Sequence, residues 1–400
     1  MLSVEEALDR VLSRVAPVGA ERVGLLSALD RVLAESLVAL MDIPPWPNSS
    51  MDGYALRSLD VREASQVEPA SLTLAGMVRA GAVAPRPLGA GEAFRIFTGA
   101  PLPQGADAVI PQEEVETHGQ IVRLPRPVAP GEYVRPAGED VRAGEIVLEP
   151  GHLVGAAEVG LLATLGRAQV RVFRRPRVAI LSTGDELADL GTPIVPGKIP
   201  NSNTYALMAQ VAQAGGEPIN IGVASDNPSV IDERLRWGLS ADILISSAGV
   251  SVGEFDFVRE ALARLGAELH LWQVAMRPGK PVTFGSLGGR PVFGLPGNPV
   301  SAMVTFELFV RPALRKMAGH RTLHRPTIQA KALAPIPNPG RRRGYLRVTL
   351  TLSDGKYGAR LTGGQGSGIV RSMVMADGLA VVPPDTTIHA GEEVTVIKLK

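Results

Sequence analysis

The chain reads as a multidomain protein in which an α/β unit is joined to β-rich units, and three textures predict this. Between 173 and 322, short apolar runs alternate with helical periodicity, the pattern of a parallel, doubly wound sheet. Segments 41–144 and 323–400 are instead short strands punctuated by Gly and Pro. Helical periodicity flanks the first of these, at 1–40 and 145–172, which predicts one helical domain split by a β-rich insertion. At 400 residues, 45% of them hydrophobic, the chain is too long for one core and apolar enough to fill several.

The elements follow in order. Ser3, with Glu6 three residues on, spells a capping box. Val4, Ala7, Leu8, Val11, Leu12 and Val15 then share one helical face. A second helix is expected from a Ser27 cap through Leu29, Val32 and Leu33, before the Pro-rich loop Ile43-Pro44-Pro45-Trp46-Pro47. Phe94-Arg95-Ile96-Phe97 and Ala108-Val109-Ile110 are strands of the insertion, and Ala157, Leu161, Leu162 and Leu165 mark the returning helix. The α/β unit is predicted to place strands at 177–181, 219–223, 243–247 and 291–295. Its helices are expected over 204–214, 231–239, 257–265 and 301–309, with Asn201, Ser202 and Asn203 as cap candidates for the first. Val348, Leu350 and Leu352 alternate with Arg347, Thr349 and Thr351, the period of a half-buried strand, so the C-terminal segment is a small barrel or sandwich.

Composition removes several functions. The 41 basic and 40 acidic residues balance at +1, without the basic excess of a nucleic-acid protein. Aromatic residues, at 4%, are too few for base-stacking platforms. With no cysteine, disulfides, zinc–thiolate sites, iron–sulfur clusters and cysteine nucleophiles are excluded. No targeting signal is expected at the N-terminus, and the most apolar stretch, 293–310, is broken by Pro296, Asn298, Pro299 and Glu307, so no membrane span is expected. These features fit a cytoplasmic protein.

Chemistry concentrates in three loops that follow strands of the α/β unit: Ser182-Thr183-Gly184-Asp185-Glu186, Gly249-Val250-Ser251-Val252-Gly253-Glu254-Phe255-Asp256, and Leu295-Pro296-Gly297-Asn298-Pro299. All three are expected along one sheet edge, where such folds bind ligands. Glycine loops at helix N-termini offer N–H groups to phosphate. Carboxylates beside them repel phosphate unless a divalent cation lies between, so Asp185, Glu186, Asp226 and Asp256 suggest a magnesium–phosphate site; helix caps and turns are the alternative. Arg277 and Lys280 flank a rigid Pro-Gly turn suited to an oxyanion, or simply to solvent. The run from Gly249 to Gly253 also matches the G-x-S-x-G elbow of serine hydrolases, although its helix is expected to begin only after Asp256. His320 and His324 read as a solvated helix end, and no histidine is given a catalytic role.

A set of motifs in one order spans nearly the whole chain. It begins with Ser50-Met51-Asp52-Gly53-Tyr54-Ala55, Thr98-Gly99-Ala100-Pro101, Gly105-Ala106-Asp107-Ala108-Val109 and Arg135-Pro136-Ala137-Gly138-Glu139-Asp140. It continues through Ser182-Thr183-Gly184-Asp185-Glu186-Leu187, the loop ending at Asp256, Arg277-Pro278-Gly279-Lys280-Pro281, Leu295-Pro296-Gly297-Asn298-Pro299-Val300-Ser301 and Gln365-Gly366-Ser367-Gly368. On these residues the chain resembles the molybdopterin molybdenumtransferases, the bacterial molybdenum-insertion enzymes related to the E domain of gephyrin.

The resemblance implies four domains: a split helical domain I (1–40 and 145–172), a β-rich domain II (41–144), an α/β domain III (173–322) similar to the molybdopterin adenylyltransferase, and a small β-barrel domain IV (323–400). It implies a homodimer with the active site between domain III of one subunit and domains II and IV of the other. The substrates would be adenylylated molybdopterin and molybdate, with AMP released, and the adenylyltransferase is a candidate partner. Asp52, Thr98 and Asp140 match active-site positions of domain II; Glu186, Asp226 and Asp256 match the acidic pocket and are the candidate Mg²⁺ ligands. Arg277 and Lys280 would stabilise phosphate charge. Ser182, Thr183, Gly184, Asp185, Asn201, Ser251 and Gly253 would bind the pterin nucleotide, and Arg347, Ser367 and the loop Pro296-Gly297-Asn298-Pro299 the molybdate. The substrate's own thiolates would supply the sulfur. Two positions depart from the family pattern: Arg277 where Lys is common, and Ala248 where a Gly pair is usual, so that a methyl opposes a left-handed turn. A non-catalytic dimeric scaffold and the serine hydrolase are the competing readings.

Overall fold

The computed structural model describes residues 1–248 and 257–400. The predicted capping box forms: Ser3 Oγ accepts from the Glu6 N–H at 3.1 Å, and Glu6 Oε2 accepts from the Ser3 N–H at 2.8 Å. The helix it opens, Val4–Leu12, buries Val4, Ala7 and Val11. These side chains join the core of the α/β unit, with Val178, Ile180 and Ile245, far away in sequence.

The second predicted helix does not form. Leu25–Ala28 is one 3-10 turn without a side-chain cap, and Asp30 follows in the left-handed region at φ 60°. On either side the chain is strand: Ala20–Gly24 lies antiparallel to Gln169–Phe173, and Leu37–Val38 to Ile146–Leu148. Short helices are marginal alone, and Ala28, Leu33, Leu37, Leu148, Val170 and Val172 reach a common core through this pairing.

The insertion holds a six-stranded sheet in the order Ala108–Pro111, Gly53–Leu56, Glu92–Ile96, Ala70–Val78, Ile121–Leu124, Glu116–His118. Gly53 is required there, because a Cβ would collide with the Ile110 carbonyl oxygen.

The α/β unit has the strand order Glu217–Ala224, Arg177–Thr183, Ile243–Ser247, Arg290–Leu295, Thr283–Leu287, Glu268–Leu271, and the first four are parallel. Side chains alternate between two cores, as strand geometry requires. Val178, Ile180, Ile243, Ile245 and Phe293 face the helix Ser202–Gln213 and the helical run after Asn298. Ala179, Leu181, Leu244 and Val292 face Pro228–Gly238 and Phe257–Arg264. Helices on both faces make the sheet doubly wound.

The helical run Pro299–Thr305, Phe306–Val310, Arg311–Met317 stops before His320 and His324, which therefore share no helix face. His324 is exposed, but His320 is half-buried, its Nδ1 accepting from Arg315 at 3.2 Å. Burial, then the charges of Arg315 and Arg311, push its pKa down to about 4. The expected solvated helix end is thus a packed, neutral imidazole.

The C-terminal segment is a closed five-stranded barrel: Arg343–Ser353, Lys356–Leu361, Thr327–Ala332, Glu393–Lys398 and Gly378–Val382, closed by pairing of the first with the last. Leu346 and Val348 fill it with Ala359, Ala380, Val394 and Val396. Arg347, on the face that the alternation assigns to solvent, is instead 0% exposed. The barrel is tied to the α/β unit there, since Met276–Arg277 pairs with Arg343 and Gly344. Among the described residues, no helix is long and apolar enough to cross a membrane.

Candidate functional site

The three central parallel strands end side by side, with Ser182 paired to Ser247 and Ser247 to Leu295. Beyond their carboxyl ends lies a cavity of about 440 Å³, a volume suited to a small organic ligand. Of the residues named from sequence, Ser182, Thr183, Glu186, Asn201, Pro296, Gly297, Asn298 and Pro299 line it. Ser251, Gly253 and Asp256, and with them the hydrolase elbow, lie outside the described residues.

A buried polar chain fixes one wall. Asn201 caps its helix by accepting from the Thr204 N–H at 3.4 Å, and its Nδ2 donates to Thr204 Oγ1 at 2.9 Å. The Thr204 and Ser182 hydroxyls lie 2.7 Å apart. Strand end and helix start are therefore locked together, and the buried hydroxyls are satisfied.

Gly184 adopts φ 141°, where a Cβ would meet the Glu186 carboxylate. Asp185 turns back instead, its Oδ1 accepting from the Asp226 N–H at 3.2 Å. The Asp226 pKa is raised, first by desolvation of the carboxyl against the loop and then by the charges of Asp185 and Glu186, although the residue as a whole is exposed. Among the described residues, no three acidic or histidine side chains converge with metal-ligand geometry. Of these acids Glu186 lines the cavity, while Lys198 Nζ donates to the Asp185 carbonyl.

Positive charge collects where the barrel meets the α/β unit. Arg347 donates from Nε to Ser372 Oγ and from Nη2 to the Gly366 carbonyl, each at 3.1 Å. Its Nη1 is buried without a partner. Burial and the nearby charge of Arg277 push its pKa down to about 10. Among the described residues, neither Arg277, Lys280 nor Arg347 forms an ion pair with a carboxylate. The Ser367 carbonyl accepts from the Val300 N–H at 3.0 Å, which seats the 365–368 loop on the helix that leaves the cavity.

Asp52 and Thr98 meet on the β-rich insertion: the Thr98 N–H and hydroxyl both donate to Asp52 Oδ1 at 2.8 Å. These two bonds, the backbone one leading, lower the Asp52 pKa. Asp140 is exposed, and its N–H donates to the Ile43 carbonyl at 2.9 Å. None of the three lines the α/β cavity.

Sequence reading offered Asn203 only as a cap, yet it bridges two cavity walls, donating to Ser247 Oγ at 2.9 Å and to the Gly297 carbonyl at 2.7 Å. The available signal was redundancy: three consecutive polar residues stand where a helix needs one cap.

Three family regions match in order: the MoeA N-terminal region (domain I and II) over 2–166, a "probable molybdopterin binding domain" over 179–316, and the MoeA C-terminal region (domain IV) over 329–399. A curated molybdopterin molybdenumtransferase from Nostoc sp. is 41% identical over 386 residues, 95% of this chain and 88% of that protein. The chain belongs to the molybdopterin molybdenumtransferase family. Molybdopterin molybdenumtransferase 2 of Mycobacterium tuberculosis is 37% identical and covers 99% of both chains. A crystal structure of the molybdopterin biosynthesis moeA protein from Pyrococcus horikoshii OT3 superimposes with a TM-score of 0.84 at 33% identity, covering 99% of each chain. Membership places the chain among enzymes of molybdenum cofactor biosynthesis.

Against the family pattern, Ala248 adopts φ 77° despite its methyl. Its N–H donates to the Leu295 carbonyl and its own carbonyl accepts from Ser246 Oγ, both at 3.1 Å. The methyl has not blocked the left-handed turn; surrounding contacts impose it, at a cost of about 1 kcal/mol.

Proposed function

We propose that this chain transfers molybdenum from molybdate into adenylylated molybdopterin with release of AMP, as a cytoplasmic homodimer whose second subunit contributes the Asp52, Thr98 and Asp140 surface. The observation that carries the reading is Arg347, a fully buried guanidinium with one unpartnered nitrogen and a second cation, Arg277, beside it. A protein core tolerates such charge where an anion is to be received. Molybdate is a tetrahedral dianion and needs donors of this kind; Arg347, Lys280, Arg277 and Ser367 are the set that would hold it.

The cavity would hold the pterin nucleotide, with the 296–299 turn and the polar chain through Ser182 and Asn201 as its walls. Asp185 and Glu186 add negative charge around Asp226, second to desolvation in raising its pKa, and a divalent cation would offset that charge. Glu186, Asp226 and Asp256 would hold the ion, which when bound supplies Lewis-acid polarisation of the pyrophosphate oxygens. Lys280 and Arg277 then receive the charge that develops on phosphate as AMP leaves. Asp52, kept ionised by two donors from Thr98, acts as an acceptor and not as a proton source. The substrate's two thiolates displace molybdate oxygens, which accords with a chain lacking cysteine.

The test is AMP release from adenylylated molybdopterin with Mg²⁺, with and without molybdate. Molybdate-dependent release is expected; no release under either condition from a folded dimer favours the scaffold reading instead.

A further inference from the structure

Asn203 is a polar side chain of the cavity to which the proposed reaction gives no role. It lies in the first turn of Ser202–Gln213, whose N-cap is already supplied by Asn201, so the helix does not need it. Its Nδ2 donates both to Ser247 Oγ, at 2.9 Å, and to the Gly297 carbonyl, at 2.7 Å. A carbonyl only accepts, so the Gly297 bond decides which end of the amide is nitrogen.

Ser247 ends one central strand, and Gly297 lies in the turn that leaves its neighbour, Arg290–Leu295. Among the described residues their ladder ends at the Ser247–Leu295 pair, extended by the Ala248 N–H to the Leu295 carbonyl at 3.1 Å. Asn203 reaches both Ser247 and Gly297 from a third element, the helix Ser202–Gln213. Gly297 has no side chain with which to anchor itself, and a Cβ there would press on the Ala248 methyl at 3.2 Å. The turn is therefore held through its backbone, and among the described residues Asn203 is the side chain that bonds the Gly297 carbonyl.

We propose that Asn203 is a positioning residue for the pterin ligand: its amide clamps Ser247 to Gly297, so that the 296–298 turn presents its backbone groups to the ligand in a single geometry. The inference rests on reading the cavity as the molybdopterin site. Ordering the turn before the ligand arrives removes an entropic cost from binding.

The test uses the full chain with Asn203→Ala, Ser247→Ala and the double variant. It reads KM and kcat for adenylylated molybdopterin in molybdate-dependent AMP release, and amide hydrogen exchange over 295–299 without ligand. Loss of both hydrogen bonds in Asn203→Ala is expected to raise KM about tenfold, with kcat within about twofold and only a small fall in melting temperature. Ser247→Ala, losing one bond, should raise KM about threefold, and the double variant should be no worse than Asn203→Ala. Exchange over 295–299 should quicken in Asn203→Ala. Wild-type KM and exchange in that variant, beside normal wild-type turnover, overturn the clamp while leaving the site reading intact. A fall in kcat and melting temperature with KM unchanged marks a merely structural role and also overturns it. A wild type that neither binds nor turns over the ligand overturns the site reading, and the ligand-positioning role with it.

Discussion

Replacing Arg347 by Met separates function from stability, because the native arginine is held at a loss. Its guanidinium is fully buried, has no ion-paired carboxylate among the described residues, and titrates near 10 under burial and the charge of Arg277. That depression corresponds to about 3 kcal/mol of disfavoured charge. The sign follows from linkage: folded and unfolded states both carry the proton at pH 7, so the penalty is present in full there and relaxes only as pH rises past 10. Against it stand two hydrogen bonds, worth about 1 kcal/mol each. Their acceptors keep other partners, since Ser372 Oγ donates to the Ile369 carbonyl at 2.6 Å and the Gly366 carbonyl accepts from the Ile369 N–H at 3.3 Å. Arg347→Met should therefore be unchanged in stability or about 1 kcal/mol more stable. Molybdate should stabilise the wild type by about 2.7 kcal/mol at a hundredfold excess over Kd and leave the variant unmoved. Thermal melting of both proteins across a molybdate titration measures the two effects together. Destabilisation beyond about 2 kcal/mol would refute the stored-charge argument, and equal stabilisation of both proteins by molybdate would place the anion site elsewhere.

Three further perturbations probe the same features. His320 is neutral in the fold and held near 4, so the unfolded chain takes up its proton first and stability should fall by up to about 3 kcal/mol as pH drops from about 6.5 towards 4; melting of His320→Asn should show a flatter acid limb, and an unaltered limb refutes the assignment. Ala248→Gly removes a side chain from φ 77° and should stabilise by up to about 1 kcal/mol, whereas Ala248→Val should lose stability; a less stable Gly variant would show that the methyl contributes packing outweighing the strain. Asp226→Asn should raise stability slightly in metal-free buffer, because the native carboxyl is disfavoured by desolvation and by Asp185 and Glu186, and it should weaken the Mg²⁺ dependence of both melting and AMP release; a variant with wild-type response to Mg²⁺ excludes Asp226 from the metal site.

Much of this protein was legible from the chain because the deciding information is local. Short apolar runs and period-3.6 patterns located the strands and helices of the α/β unit, since helices cover both faces of its parallel strands and leave them apolar on both sides. The Ser3–Glu6 box and the Asn201 cap are contacts between residues three apart, so spelling suffices. The ordered motifs located the cavity loops, because strand ends in a parallel sheet necessarily lie together. Tertiary structure decided the rest, for two physical reasons. The first is that a weak local preference yields to a distant partner: the segment after Ser27 became a turn between strands because 145–172 offered a ladder and a shared core, and Val4–Leu12 packs into the α/β core instead of its neighbours. The second is that burial of charge depends on what packs over it. Nothing in the alternation around Arg347 distinguishes a solvated arginine from one buried against Ser372 and Gly366 with an unpartnered nitrogen. Likewise only the convergence of two strand ends and a helix start shows that Asn203 joins Ser247 to Gly297.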